Sequence, residues 1–179
     1  SDPKALRADL KAAEIKKSAN LLSNPNAHEG MKGWQILSNG GNGWKTQSIA
    51  VPCVDAKKNF VTSYGWCIRR QVVDLSTNGV SKQELGSLAP IEVTSYYMAE
   101  GCCGSTYAIR LELLDEKQRT IANFASGFLD APCTHWAKLQ HVFKGYRKAA
   151  RYLVWEDRGK DKKYWRGHYG AKITGGSVR

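Results

Sequence analysis

Residues Thr106–Asp115, with the sequence TYAIRLELLD, carry the clearest fold signal in this chain. Apolar side chains occupy every second position from Tyr107 to Leu113, and the charged residues Arg110 and Glu112 fall between them. Because successive side chains of a strand point to opposite faces of a sheet, this alternation predicts a half-buried antiparallel strand.

Short runs of the same kind occur on both sides of that strand, separated by turn-forming clusters such as Asn24-Pro25-Asn26 and Asn39–Gly43. Many short strands joined by turns indicate an all-β sandwich or barrel. The segment Val80–Leu88 is predicted to form a helical turn. The further predicted strands are Gly33–Ser38, Trp44–Ala50, Phe60–Tyr64, Trp66–Leu75, Ile91–Met98, Thr120–Phe128, Trp136–Lys144, Arg151–Asp157 and Tyr164–Thr174.

The first 19 residues differ from the rest. Ser1 or Asp2 can cap a helix, Pro3 suits its first turn, and Leu6 and Leu10 share one face. We therefore predict a linker helix over residues 1–19 and a β-sandwich domain over residues 20–179.

Composition restricts the class of protein. The 179 residues fit one domain, and 42% hydrophobic with 24% charged residues is ordinary for a globular protein. No apolar run is long enough to span a bilayer. The net charge of +11 attracts anions in general, but the basic residues are dispersed, which argues against a specific nucleic-acid site.

The five cysteines are an odd number without CxxC spacing, which argues against a disulfide framework and a structural zinc site. Cys67 lies within an apolar strand pattern and is predicted to be a buried thiol. The chain contains no Asn-x-Ser/Thr sequon. These features favour a cytoplasmic location, and neither a metal nor a cofactor is expected.

The segment Asp161–Arg179 carries the main binding signal. Tyr164 and Trp165 stand side by side, followed by the basic Arg166, in a polar stretch that contains glycine. Such a pair can pack one ring inward and cover a loop with the other. It also suits a surface that stacks on a flat, partly polar ligand.

Several segments together resemble one known family, the F-box-associated domain of the sugar-recognising F-box proteins, over about residues 20–179. The matching segments begin with Asn20-Leu21-Leu22, Asn24-Pro25, Gly33-Trp34, Gly41-x-Gly43-Trp44 and Phe60-x-x-Ser63-x-x-Trp66-Cys67-x-x-x-Gln71-Val72-Val73-Asp74-Leu75. They continue with Tyr107–Leu114, His141-x-Phe143-x-x-Tyr146 and Tyr164-Trp165-x-Gly167-x-Tyr169-Gly170-Ala171-x-Ile173-Thr174-x-x-Ser177-Val178.

The resemblance implies an antiparallel, jelly-roll-like sandwich of about ten strands that binds the inner chitobiose of high-mannose N-glycans. In that family the module selects misfolded glycoproteins for ER-associated degradation as an adaptor of Skp1–cullin ubiquitin ligases. The implied glycan contacts are Phe60, Tyr164, Trp165 and Arg166. Arg166 stands where glycan-binding members carry Lys, and Cys102-Cys103 stands where an acidic residue is expected.

Residues 1–19 show no F-box, so a Skp1–cullin partner is expected only if an F-box lies outside this sequence. The alternative is an F-box-lacking relative, of the nonspecific cytotoxic cell receptor type, that acts as a protein-interaction module. An enzyme is not expected, because the four histidines show no HxH or HExxH spacing. Cys133 and His135 offer only a weak hint of a thiolate pair.

Overall fold

The computed structural model describes residues 2–4, 19–76, 89–101 and 104–179. Within these ranges eleven strands form two antiparallel sheets that pack face to face, which confirms the predicted β-sandwich. The strands are β1 Gln35–Asn39, β2 Lys45–Cys53, β3 Ala56–Val61, β4 Cys67–Asp74, β5 Ile91–Met98, β6 Ser105–Leu114, β7 Thr120–Ala125, β8 Leu129–Ala131, β9 Ala137–Phe143, β10 Tyr152–Asp161 and β11 Lys172–Val178.

Most of the predicted helix over residues 1–19, the predicted helical turn Val80–Leu88 and the Cys102-Cys103 pair lie outside the described residues. In the part of the chain that is described, no helix is long and apolar enough to cross a membrane.

The first sheet has the strand order β1-β4-β10-β6-β7, and the short β8 also pairs with β6. The second sheet has the order β2-β3-β11-β5-β9. Strands that are neighbours in sequence therefore often lie apart in the sheets. The strand β10, for example, pairs with β6 along its whole length and with β4 from Tyr152 to Gly159. This central position explains why β10 is buried on its inner side, with Leu153, Trp155 and Asp157 all 0% exposed.

The core lies between the two sheets and is rich in aromatic rings. Trp34 packs edge-on against both Trp155 and Phe60, with ring centroids about 6 Å apart. Tyr107 of β6 stacks on Tyr97 of β5 at 4.7 Å, which joins the two sheets. Edge-on and offset contacts of this kind stabilise a core beyond the burial of apolar area alone.

A charged network crosses this core. Arg69 is 1% exposed, and its Nε donates to Asp157 Oδ1 at 2.7 Å. Asp157 also accepts a hydrogen bond from the Tyr107 hydroxyl at 2.9 Å, and that hydroxyl lies 2.8 Å from Ser95 Oγ. A buried charge is tolerated only when it is paired in this way, so the network fixes how β4, β10 and β6 face β5.

The predicted strand Tyr164–Thr174 is wrong, because residues 162–171 form a loop and the last strand begins at Lys172. Tyr164 has a φ of 56° and Gly167 a φ of 106°, values outside the range of regular β-strand backbone. The predicted strand Arg151–Asp157 in turn extends to Asp161. The aromatic pair therefore lies on a connection and not within the sheet.

Two other strand boundaries also differ. The predicted strand Thr120–Phe128 ends early, at Ala125, because Gly127 has a φ of 68°, and the separate short strand β8 begins only at Leu129. The predicted strand Phe60–Tyr64 lies earlier, at Ala56–Val61, so that Tyr64 falls in the loop that follows β3.

Candidate functional site

In the described part of the chain, five connections meet at one end of the sandwich, which we call the loop end: residues 39–45, 61–67, 98–105 outside the Cys102-Cys103 pair, 131–137 and 161–172. The pairing of the strands brings these connections to the same end, because Asn39 and Gly159 both pair with Cys67 in the first sheet. In the second sheet, Lys172 pairs with both Val61 and Met98. Loops gathered on a rigid sandwich are a common place for ligand binding. We call residues 162–171 of this end the aromatic loop.

The aromatic loop is held from below by Asp161, the last residue of β10, which is 0% exposed. Asp161 Oδ1 accepts hydrogen bonds from the backbone N–H groups of Lys163 at 3.0 Å and Tyr164 at 2.6 Å. Asp161 Oδ2 accepts a third from the Trp165 N–H at 3.2 Å. A carboxylate that accepts several amide hydrogen bonds fixes the backbone of a turn.

The middle of the aromatic loop is tied to its two neighbouring connections. The Gly167 N–H donates to Asn42 Oδ1 at 2.7 Å, and Ser63 Oγ donates to the Gly167 carbonyl at 2.5 Å. The Asn42 N–H donates to the same Ser63 hydroxyl at 2.9 Å. These bonds attach the aromatic loop to the 39–45 and 61–67 connections.

The end of the aromatic loop lies against the 61–67 connection too closely to admit a side chain on Gly170. The Gly170 N–H donates to the Thr62 carbonyl at 3.2 Å. A Cβ atom on Gly170 would lie 2.2 Å from Thr62 Oγ1 and 2.8 Å from the Ser63 carbonyl oxygen. Glycine is therefore required here by contact with the backbone, and the loop is anchored at both ends.

On this anchored backbone three aromatic side chains face solvent. Tyr164 is 68% exposed, Trp165 47% and Tyr169 39%, and Arg166 between them is also exposed. The Trp165 and Tyr169 rings meet edge-on at 5.9 Å, which supports the indole from one side. The predicted unit Tyr164, Trp165 and Arg166 thus lies together on the surface.

A basic side chain extends this aromatic surface onto the first sheet. Lys160 Nζ lies 5.1 Å from the Tyr164 ring centroid and 5.1 Å from that of Trp66. It also lies 3.4 Å from the Tyr164 hydroxyl. The other ring of this group, Phe128, stacks on Trp66 at 5.4 Å and is 73% exposed.

The fourth predicted contact, Phe60, lies elsewhere. Its ring is 0% exposed and packs edge-on against Trp34 at 6.0 Å and Trp44 at 6.5 Å. Phe60 is one residue from the end of β3, so its backbone is close to the loop end, but its side chain points into the core. The structure therefore places Phe60 among the core residues and does not bring its ring together with Tyr164, Trp165 and Arg166.

Two residues of the loop end were missed by the sequence analysis. Tyr64 is half-buried, follows Ser63 in the 61–67 connection, and packs its ring over Gly41. Glu100 lies in the 98–105 connection and forms an ion pair with Lys172 at 2.5 Å. Tyr64 was not recognised as a loop residue because it was assigned to the predicted strand Phe60–Tyr64. Glu100 is an acidic residue two positions before the Cys102-Cys103 pair, in the loop where such a residue was expected.

The described cysteines give no support to nucleophilic chemistry. Cys53 and Cys67 are buried free thiols, as predicted for Cys67, and burial raises the pKa of Cys53 to about 11. Cys133 is exposed, but the nearby His135 directs Nδ1 to the Thr134 hydroxyl at 3.1 Å. Within the described ranges, no three acidic, histidine or cysteine side chains are grouped so as to hold a metal ion.

The fold and the loop end define this chain as a β-sandwich of the kind found in carbohydrate-binding modules. It is similar to a solved family 16 carbohydrate-binding module, with a TM-score of 0.53 and 16% identity over 89% of this chain and 99% of that one. It is also similar to the C-terminal family 22 module of Clostridium thermocellum Xyn10B, with a TM-score of 0.52 and 8% identity over 91% and 92%. At these identities the likeness concerns the fold.

The chain belongs to the family described as the F-box associated region, whose model matches residues 13–179. It is 35% identical to F-box only protein 6 of Rattus norvegicus over 89% of this chain and 60% of that protein. It is 37% identical to F-box only protein 17 of Homo sapiens over 89% and 59%. The chain thus spans about 60% of the length of these relatives.

Proposed function

We propose that the loop end binds glycans, and that its ligand is the inner chitobiose of high-mannose N-glycans. The observation that carries this proposal is the exposure of Tyr164, Trp165 and Arg166 on a loop anchored by the buried Asp161. An aromatic platform whose backbone is already fixed loses little entropy when a ligand binds. The membership of the chain in a family of F-box proteins supports the same reading.

The chemistry of the platform suits an N-acetylglucosamine ring. One face of that sugar is formed by C–H groups, on which the exposed Trp165 indole can stack. Its rim carries hydroxyl and amide groups, to which the Arg166 guanidinium can donate hydrogen bonds. Tyr64 and Glu100, at the margins of the same loop end, are further candidates for contact with the rim or the acetyl group.

The affinity of one such site is expected to be modest, roughly micromolar to millimolar, because few groups are buried on binding. Clustered glycans would raise the apparent affinity through simultaneous binding. In the cell, we propose that the module acts without catalysis as a cytoplasmic substrate-recognition unit of a Skp1–cullin ubiquitin ligase. Its substrates would be misfolded glycoproteins destined for ER-associated degradation.

The first test is a titration of the protein with chitobiose and with Man3GlcNAc2, followed by tryptophan fluorescence and amide chemical shifts. We expect saturable binding that Trp165→Ala abolishes and that raised salt hardly changes, because ring stacking is not a charge interaction. Val54→Ala is the control, since Val54 is 69% exposed at the turn between β2 and β3, at the opposite end of the sandwich. This control should bind chitobiose like the native chain.

Absence of any response to millimolar sugar in the folded protein would refute glycan binding. The alternative is then a module whose exposed aromatic residues contact a partner protein. Binding that weakens steeply with salt would instead indicate a ligand recognised by its charge.

A further inference from the structure

A shallow depression lies on the outer face of the first sheet, beside the aromatic loop. It is lined by Ala108 of β6, by Ala125 and Gly127, and by the ring of Phe128. With 73% of its surface exposed, Phe128 is the most exposed large apolar side chain among the described residues. A ring left in solvent beside an apolar floor indicates a contact surface.

The rim of this depression is positively charged. Arg110, Glu156 and Arg158 line it, and Arg158 Nη2 donates to Glu156 Oε2 at 3.2 Å. Glu156 stands in register with Arg110 on one side and Arg70 on the other. In the described part of the chain, neither Arg70 nor Arg110 forms an ion pair. The depression itself is thus lined by the two guanidinium groups of Arg110 and Arg158 and the one carboxylate of Glu156, whereas Arg70 borders the neighbouring depression together with Glu112. The net positive charge of this lining favours an anionic ligand.

The depression is continuous with the aromatic loop. Phe128 stacks on Trp66, and Lys160 Nζ lies 5.1 Å from both the Trp66 ring and the Tyr164 ring. Tyr164 is followed directly by Trp165. A ligand held at Trp165 therefore meets a strip of aromatic and basic side chains that leads to the apolar floor.

We propose that this depression binds an acidic, apolar segment of polypeptide, namely the chain that carries the glycan. The inference rests on the proposed function, because the inner chitobiose is joined directly to an asparagine side chain of its protein. Any module that grips the innermost sugars must lie against that protein. The apolar floor receives a side chain such as Leu, and the guanidinium groups pair with Asp or Glu beside it.

The structure favours polypeptide over further sugar at this position. A sugar subsite needs a free ring face, but the Trp66 ring is stacked on Phe128 and has the cations of Lys160 and Arg158 5.1 and 5.9 Å from its centroid. The floor formed by Ala108, Ala125 and Gly127 has no side-chain hydrogen-bond groups for hydroxyls, and the polar groups of the rim are the charged Arg110, Glu156 and Arg158. A small apolar floor with a cationic rim suits aliphatic and acidic side chains.

The test compares the binding of four probes by calorimetry and amide chemical shifts. The first is chitobiose, and the second, the acidic glycopeptide, is a short peptide with a chitobiose-bearing Asn flanked by Leu and Glu. The third, the Lys glycopeptide, has Lys in place of Glu, and the fourth is the acidic peptide without sugar. We expect the acidic glycopeptide to bind about tenfold more tightly than chitobiose, a gain equal to about 1.4 kcal/mol. The Lys glycopeptide should show no gain. The gain should shrink as salt is raised.

Paired variants at Ala125 localise the effect, because Ala125 is exposed on β7 and lies in the depression, outside the loop end. Ala125→Glu places a carboxylate there and should remove the gain, while Ala125→Lys should keep it. Both variants should bind chitobiose like the native chain. Equal binding of the acidic and Lys glycopeptides, or a gain that survives Ala125→Glu, would overturn the proposal.

Failure of the proposed function gives a different pattern. If chitobiose does not bind to the folded protein, the sugar-free acidic peptide alone tests whether the depression binds polypeptide. Amide shifts at Phe128 and Arg158 that Ala125→Glu abolishes would then support a peptide site without a glycan. No shifts at these residues at millimolar peptide would overturn it.

Discussion

Among the described residues, two clusters place a cation against several aromatic rings, one in the core and one at the surface. In the core, the Arg69 guanidinium carbon lies 3.6 Å from the Trp34 ring centroid and 4.2 Å from that of Phe60. At the surface, the Lys160 ammonium lies 5.1 Å from two rings, Trp66 and Tyr164. The two clusters use similar residue types, yet only the surface one is open to a ligand.

Burial and pairing separate the two clusters. Arg69 is 1% exposed and is bonded by two nitrogens to Asp157, so its charge is neutralised inside the core. Among the described residues, Lys160 has no acidic partner within ion-pair distance. Aromatic rings around a buried cation thus serve stability, whereas the same rings around a solvated cation leave their charge and faces available to bind. The following predictions test this division.

The largest effect is expected from Arg69→Met, which removes the buried cation and leaves Asp157 charged in the core. Breaking a buried pair in this way costs about 3–5 kcal/mol of unfolding free energy. Urea denaturation followed by tryptophan fluorescence measures the change. Adding Asp157→Leu removes the stranded carboxylate, so the double variant should be more stable than Arg69→Met alone. A loss below about 1 kcal/mol for the single variant would contradict the role assigned to the pair.

A smaller effect is expected from Tyr107→Phe, which deletes the hydroxyl that donates to Asp157 at 2.9 Å. Hydrogen bonds to charged groups contribute about 1.5–3 kcal/mol, and the loss should fall in that range at neutral pH. Equilibrium denaturation gives the value. Tyr97→Phe is the matched control, because Tyr97 stacks on Tyr107 but is only partly buried. It should cost less than Tyr107→Phe.

The same substitution should change the alkaline behaviour of the protein. Burial, and after it the negative charge of Asp157, raise the pKa of Tyr107 well above the ordinary value of 10.0. A folded-state pKa above the unfolded one gives stability that is complete below about pH 10 and is lost as the pH rises further. The unfolding free energy of Tyr107→Phe should therefore fall less steeply above pH 10 than that of the native chain. Parallel curves would show that the phenol does not contribute.

A further prediction concerns Asp161, the buried residue that anchors the aromatic loop. Asp161→Asn replaces one acceptor oxygen by an NH2 group that faces the backbone N–H groups of residues 163–165. We expect a loss of about 1–2 kcal/mol in unfolding free energy, because two charged hydrogen bonds become neutral and one is lost. Amide hydrogen exchange should quicken at these three positions, and chitobiose affinity should fall. Unchanged exchange there would show that the carboxylate does not hold the loop.

The sequence predicted the sandwich well because its signal is local. Alternation along β6, from Tyr107 to Leu113, follows directly from the two faces of a strand, and burial repeats it in the structure. The error at Tyr164–Thr174 has an equally physical cause. Tyr and Trp favour strands, but the hydrogen bonds to Asp161 and the close approach of Gly170 to Thr62 impose a loop there. The bonds to Asp161 are local, from the N–H groups two to four residues later, but the contact of Gly170 with Thr62 joins residues that are far apart in sequence.

The candidate site was predictable only in part, for a related reason. Tyr164, Trp165 and Arg166 are consecutive on an exposed loop, so they could be recognised as a unit. Phe60 precedes the loop end on β3, and whether its ring faces the core or the surface depends on its strand register. The register is set by pairing with Thr46 and Ile173, which a single sequence does not reveal.

The smallest effect is expected from Lys160→Met, the surface counterpart of Arg69→Met. Methionine keeps the aliphatic length of the half-buried side chain and removes only a solvated charge, so the unfolding free energy should change by less than about 0.5 kcal/mol. The ammonium still helps to orient the Tyr164 ring, and an exposed cation–π contact contributes about 0.5–1 kcal/mol. Chitobiose affinity should therefore fall by about two- to fivefold, as measured by titration, while Lys160→Arg retains it. A loss of stability as large as that of Arg69→Met would mean that both clusters are structural and that burial does not distinguish them.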